Sequence, residues 1–477
     1  MEFMDDHHEK VLLQNKDKIN NLSPTIAIVG GGLAGLTCAY RLALKGIKFT
    51  IFEGNNRLGG RCWTNREIFH NGQFVERGGE LIDSKHSDIL SLIKELGLEV
   101  DDIIASEKTN TSPIYYFKGE NLYNPLQMKL QEVAQKLHTE YQLAEFPVLY
   151  RGYTKHALNL DQMSVYDWIQ QNVEGGIESS IGQLLCVAYT IEHGTDCSQQ
   201  SALNLVQFFA EEKNQQFSVL GNTDLRYRVS GGNDLIIKKL KEQLVHHIKH
   251  NYALQSIKKN ANQTYSLNFI NNGISKEIIV DKVVLAIPFS VIASSVDITN
   301  ADFKPLKVAA IKELGMGRNS KIHFQFAQRL WEMYECNGTT YSNLPFQITS
   351  DSSRGQEGPG ILVQISGGSR VENVGRMGKS AYSRKVLEEL EQVFPGLQDT
   401  YIGKYCMDLW AEGKWARGSY SFRKVGQFTK FAGVEMEREG SCYFAGEHTS
   451  LQFQGYMNGA VESGNRVALE IVRDLTN

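Results

Sequence analysis

The chain has no CxxC pair, no hydrophobic run long enough to cross a bilayer and no large excess of either charge, and each absence removes a class of protein. Its seven cysteines, at 38, 62, 186, 197, 336, 406 and 442, are odd in number and scattered. That spacing suits neither a disulfide framework nor a zinc site, so reduced thiols and no metal centre are expected. A net charge of −4 offers no basic face for nucleic acid. The longest apolar stretch, Val283 to Val296, is short and broken by Pro288, so no membrane span is expected. Residues 1–20 are polar apart from Val11–Leu13 and lack the apolar core of an export signal. A flexible tail over 1–23 and a cytoplasmic location are the expectation. A P-loop and a Ser–His–Asp order are also missing. His70, His86, His193 and His323 are isolated and read as surface or packing residues.

What is present begins with a glycine-rich turn between a strand and a helix. Thr25–Val29 reads as a short β-branched strand, Leu33–Leu44 has helical apolar spacing, and Lys48–Glu53 reads as a second strand. The turn, Gly30-Gly31-Gly32-Leu33-Ala34-Gly35, is a GxGxxG. Gly30 permits the tight turn, Gly32 lets backbone approach a pyrophosphate, and Gly35 lets helix and strand pack closely. Glu53 ends the second strand, where a carboxylate can take ribose hydroxyls. Arg57, Gly59, Gly60 and Arg61 follow as a second glycine–arginine loop suited to phosphate.

Length and an apolar content of 42% suit two or three domains. The pattern predicts an α/β fold, with a GxGxxG-type dinucleotide-binding domain built from discontinuous segments and an α+β substrate domain carrying a helical insert. The expected boundaries are 24–84, 221–290 and 406–477 for the dinucleotide-binding parts, 85–220 for the helical insert, and 291–405 for the remaining substrate domain. Lys321 opens an alternating strand in which Ile322, Phe324 and Phe326 share one face and Lys321 takes the other.

The glycine–arginine loop after Glu53 resembles that of flavin-containing amine oxidases, a family spanning monoamine and polyamine oxidases and L-amino acid oxidases. The resemblance continues through ERGGELID (76–83), YRVSGGNDLIIKKL (227–240), DKVVLAIPF (281–289) and SCYFAGEHTS (441–450). It implies FAD, with Gly79, Glu80 and Leu81 passing beside the flavin ring and Leu254 near adenine. Glu447, after Gly446, would lie near the ribityl–phosphate region, and Trp410 near the ring, with Trp415 as core of the same loop. The terminal helix would aim its N-terminus at the pyrimidine edge, with Met457 supplying backbone N–H, because a helix start stabilises negative charge. Tyr420 and Tyr456 match the aromatic pair that flanks the substrate nitrogen, and Lys321 the lysine that holds a water against flavin N5; a desolvated lysine also loses its proton more easily. Ser419 stands where some relatives carry the cysteine that binds FAD covalently, so the cofactor is expected to be noncovalent.

The resemblance implies oxidation of an amine to an imine by hydride transfer, then release of an aldehyde or ketone and ammonia, with dioxygen giving hydrogen peroxide. An L-amino acid oxidase is the alternative, and a non-catalytic FAD-binding scaffold or a desaturase or isomerase is a lesser one. An amino acid oxidase needs a cation for the substrate carboxylate, for which Arg77, Arg226, Arg228 and Arg370 are available. No catalytic carboxylate is evident. The expected partners are a small amine or amino acid and dioxygen, with no nucleic acid or membrane; a homodimer stays open.

Overall fold

The computed structural model describes residues 24–210, 219–221 and 223–476, so the expected tail over 1–23 lies outside the described residues. A five-stranded, wholly parallel sheet is built from β1 (Ile26–Val29), β2 (Thr50–Phe52), β3 (Ile248–Lys249), β4 (Lys282–Leu285) and β5 (Cys442–Phe444). Their order is β5-β4-β1-β2-β3, with Ile26 opposite Lys282, Ala27 opposite Thr50 and Val283 opposite Cys442. A central parallel strand is covered on both faces, so its residues are apolar without alternation. All four residues of β1, IAIV, are accordingly buried.

Three helices matter for the site: α1 (Leu33–Leu44), α2 (Ser180–His193) and α3 (Met457–Thr476). Leu36 and Leu42 of α1 join Val461, Val467 and Ile471 of α3 in one core cluster, which fixes both helices against the sheet. Helix α2 belongs to the helical insert with Tyr123–Ala144, Lys155–Asp161 and Val165–Asn172, whose own core is centred on Trp168, Leu184 and Leu185.

A second, mixed sheet has seven strands in the order Tyr401–Leu409, Asn319–Phe326, Gly360–Gly367, Ile348–Asp351, Cys336–Ser342, Ser112–Phe117 and Glu120–Asn121. All eight residues of Asn319–Phe326 are buried; Ile322, Phe324 and Phe326 pack with Trp331 and Tyr382, and Lys321 takes the other face. Tyr401–Leu409 is one continuous strand of this sheet, so it runs through the boundary placed at 405/406.

The cysteines correct the expectation of seven reduced thiols. Cys186 on α2 and Cys197 are joined as a disulfide, with Cα atoms 5.8 Å apart. Gly194 ends α2 at a left-handed φ of 64°, and the chain doubles back to bring residue 197 beside residue 186. The other five cysteines are free and buried. No helix among the described residues is long and apolar enough to cross a membrane.

Candidate active site

A cavity of about 1250 Å³ opens between the two sheets and the insert. Its walls are the C-terminal ends of β1 and β2, the starts of α1 and α3, the Asn319–Phe326 strand and the end of α2. Ligands of open parallel sheets bind at that end of the strands. Of the residues expected to hold the cofactor or flank the substrate nitrogen, every one lines this cavity except Gly35.

Gly35 lies under the turn instead: a Cβ there would stand 2.0 Å from the Gly30 carbonyl oxygen. Gly32 is the opposite case. A Cβ on it would meet nothing within 4 Å, and it lines the cavity. Helix α1 has no side-chain cap at Gly32, so its first N–H groups face the same space, where an anion is held well. The donors and the open glycine cradle fit the phosphates of a dinucleotide.

The neighbouring loop is braced more tightly than its sequence indicates. Gly59 N–H donates to the Gly31 carbonyl at 2.8 Å, joining the two glycine turns. Arg57 donates to the carbonyls of Leu58 (2.9 Å) and Gly60 (2.7 Å) and lies over the Trp63 ring. Arg61 pairs with Glu447 at 2.8 Å and donates to the Ser419 carbonyl at 2.9 Å. Both arginines thus spend donors on protein groups while lining the cavity. Glu53 accepts from the N–H groups of Gly31 and Asn55, each at 2.7 Å. Burial lifts its carboxyl above the usual range, partly offset by those two donors. Leu254 faces the cavity from the strand Tyr252–Lys259. Trp415 is not the loop core expected of it: it is half-buried and stands against Gly54 beside Glu53.

Further along, Gly79 lies against the start of α3, where a Cβ would come within 2.8 Å of the Met457 sulfur. Trp410 Nε1 donates to the Arg77 carbonyl at 2.9 Å. Glu447 accepts from Arg61, from the Ser421 N–H and hydroxyl, and from Gly455 N–H. Burial raises its proton affinity, but Arg61 and these donors outweigh it, leaving the carboxyl below its ordinary range.

Lys321 Nζ donates to the Glu76 carbonyl (3.0 Å), the Gly78 carbonyl (3.1 Å) and Glu80 Oε2 (2.7 Å). An ammonium has three donors, and these acceptors match them. The expectation that desolvation frees this lysine of its proton meets a buried carboxylate at contact distance. Glu80 is itself held low, at about 2: burial pushes it up, and Lys321 more than reverses that.

Tyr420 and Tyr456 are anchored at consecutive residues near the end of α2. Tyr420 OH donates to the Ile191 carbonyl at 2.6 Å, and Tyr456 OH to Glu192 Oε1 at 2.5 Å. Ser419 Oγ donates to Asn319 Oδ1, whose amide in turn donates to the same Ile191 carbonyl. Sequence reading missed Glu192, which lines the cavity from the helical insert. His86 acts as a packing residue, its ring 5.0 Å from that of Tyr456. No cluster of His, Cys, Asp and Glu that could hold a metal ion occurs among the described residues.

Comparison with known proteins follows the same line. The flavin containing amine oxidoreductase family matches residues 33–472. The chain is 24% identical to flavin-containing amine oxidase A of Sus scrofa, over 97% of this chain and 88% of that protein. It is also 24% identical to lysine-specific histone demethylase 2 of Homo sapiens, over 94% of this chain but only 53% of the demethylase, so it spans about half of that relative. Among solved structures, cyclohexylamine oxidase from Brevibacterium oxydans superposes with a TM-score of 0.82 at 19% identity, covering 96% of this chain and 100% of that one. Putrescine oxidase bound to putrescine gives 0.78 at 19%, covering 95% and 99%. The mixed α/β fold, the cavity with its uncapped helix start, and a match spanning nearly the whole sequence agree: this chain belongs to the flavin-containing amine oxidoreductases, is an amine-oxidising enzyme and takes FAD.

Proposed function

We propose that the chain oxidises a small amine in the slot between Tyr420 and Tyr456, with FAD held noncovalently along the cavity. When bound, FAD supplies the acceptor for a hydride equivalent from the substrate α-carbon, giving an imine that water hydrolyses, and passes the electrons to dioxygen as hydrogen peroxide. The residues of the chain do the rest. Tyr420 and Tyr456 present π-faces that attract an ammonium and exclude water. Their hydroxyls are pinned to α2, so the slot width is set by the insert. The start of α3 places helical N–H groups where negative charge would be stabilised. Lys321 and Glu80 fix the GG segment against the second sheet. Ser419 carries a hydroxyl already given to Asn319 and cannot form a thioether, which supports noncovalent binding.

The observation that carries this reading is the shared cavity: the glycine cradle, Lys321 and both tyrosines open on one space. Amines are favoured over L-amino acids by the arginines. Arg77 is paired with Asp408, Arg226 with Asp102, and Arg228 and Arg370 bind backbone carbonyls; none of the four lines the cavity. Arg354 does line it, but is paired with Glu107. The relatives and neighbours named for amines point the same way. An anaerobic screen of polyamines, aromatic monoamines and L-amino acids, followed by loss of flavin absorbance, tests the reading. Bleaching by amines is expected; bleaching by L-amino acids alone would reverse the order. Yellow colour is expected to leave the denatured protein, and its retention would refute noncovalent binding.

A further inference from the structure

An amine reaches the slot mainly as an ammonium ion, yet hydride can leave the α-carbon only when the nitrogen lone pair is free. A proton acceptor is therefore needed beside the tyrosines. Glu192 occupies that place. It is half-buried, lines the cavity next to Tyr420 and Tyr456, and its Oε1 is 2.5 Å from the Tyr456 hydroxyl. The groups that face it are tyrosines from four parts of the chain: Tyr189 one turn back on α2, Tyr341 on the Cys336–Ser342 strand, Tyr420 and Tyr456. His193, the next residue, packs among the rings of Tyr189, Phe208 and Phe422. Lys321 is taken by Glu80. Among the described residues no cation balances Glu192, and a desolvated carboxylate without a counter-charge is costly. A cationic ligand in the cavity would supply the missing charge.

We propose that Glu192 binds the substrate ammonium and takes its proton, a catalytic role that rests on the amine-oxidising reading above. One N–H bond breaks and its electron pair stays on nitrogen; one O–H bond forms on Glu192; no electrons change hands. The charged pair becomes a neutral amine and a carboxylic acid, both suited to a water-poor slot. Burial raises the carboxyl above its usual range, against the opposing hydrogen bond from Tyr456, which makes it a better base than an exposed glutamate.

The test is Glu192→Gln, with Glu192→Asp as the conservative variant and FAD content as the control. A primary alkylammonium has a pKa of about 10.4, so about one molecule in a thousand is neutral at pH 7.4. Anaerobic flavin reduction by such an amine is expected to fall by up to about a thousandfold in Glu192→Gln at that pH. The rate should then climb about tenfold per pH unit towards pH 9.5, with Glu192→Asp recovering part of it. A second readout needs no turnover. tert-Butylamine has no α-hydrogen and cannot be oxidised. With a pH-indicator dye in weak buffer, wild type should bind it without proton release, and Glu192→Gln should release about one proton per amine bound. A loss of rate that is equal at every pH, an unchanged rate, or equal proton counts would overturn the role of Glu192 alone. Wild-type protein that no amine reduces would overturn the amine reading and this inference with it.

Discussion

Replacing Lys321 by methionine isolates the energetics of the ion pair behind the GG segment. The side chains of Lys321 and Glu80 are only 9% and 14% exposed, and their charged atoms are 2.7 Å apart. Removing the lysine leaves the Glu80 carboxylate with the Ser352 hydroxyl, which donates to it at 3.0 Å. Breaking a buried pair from one side costs about 3–5 kcal/mol. For a domain of this size that corresponds to a Tm lower by roughly 6–20 °C. The pH dependence gives the sign. Glu80 titrates at about 2 in the fold against a reference of 4.5. Its contribution, about 3 kcal/mol, is present above pH 4.5 and is lost as pH falls towards 2. In Lys321→Met burial acts without its counterweight, so the folded carboxyl rises above the reference. The deficit is then largest at pH 7 and shrinks as pH falls to 5. Thermal denaturation of wild type, Lys321→Met, Glu80→Gln and the double variant, at both pH values, completes the cycle. The double variant is expected to regain at least half the loss, because no unpaired charge remains. A double variant no more stable than Lys321→Met, or a deficit independent of pH, would refute the reasoning.

Two further outcomes follow from the turn and the cysteines. Gly32→Ala should leave the apoprotein as stable as wild type but weaken FAD retention, because the added methyl enters the cavity; Gly35→Ala should unfold more easily, by about 1–3 kcal/mol, since its Cβ meets the Gly30 carbonyl. Thermal melts of apoprotein and bound flavin per chain separate the two, and equal behaviour of the variants would contradict the geometry. Thiol titration of denatured, unreduced protein should count five thiols and not seven. Reduction should cost roughly 3 kcal/mol of stability for a loop of this length.

What could be read in advance follows from how far each signal reaches along the chain. The GxGxxG turn, Glu53 and the glycine–arginine loop are local, and their chemistry depends on neighbours within about thirty residues. The strand face of Lys321 was likewise legible from alternation. Its partner was not, because Glu80 lies 241 positions away. Glu192 carried no motif at all: its meaning comes from Tyr456, 264 positions distant, and from the end of a helix whose pattern reads only as packing. The disulfide was hidden for a similar reason, since only the left-handed turn at Gly194 brings its two sulfurs together. Trp415 reads as the core of the Trp410 loop from its place beside Trp410 alone, although an indole suits a cavity wall as well as an interior.

The parallel sheet has a consequence for biosynthesis. Strand β1 hydrogen-bonds to β4, whose outer neighbour β5 is drawn from residues 442–444, and α1 packs on α3. The nucleotide pocket therefore stays incomplete until residues 442–476 have been made: a nascent polypeptide carries its glycine turn for some four hundred codons before the opposite wall exists. Cofactor loading must wait for that wall, and so follows the pairing of β5 and the docking of α3 rather than seeding them.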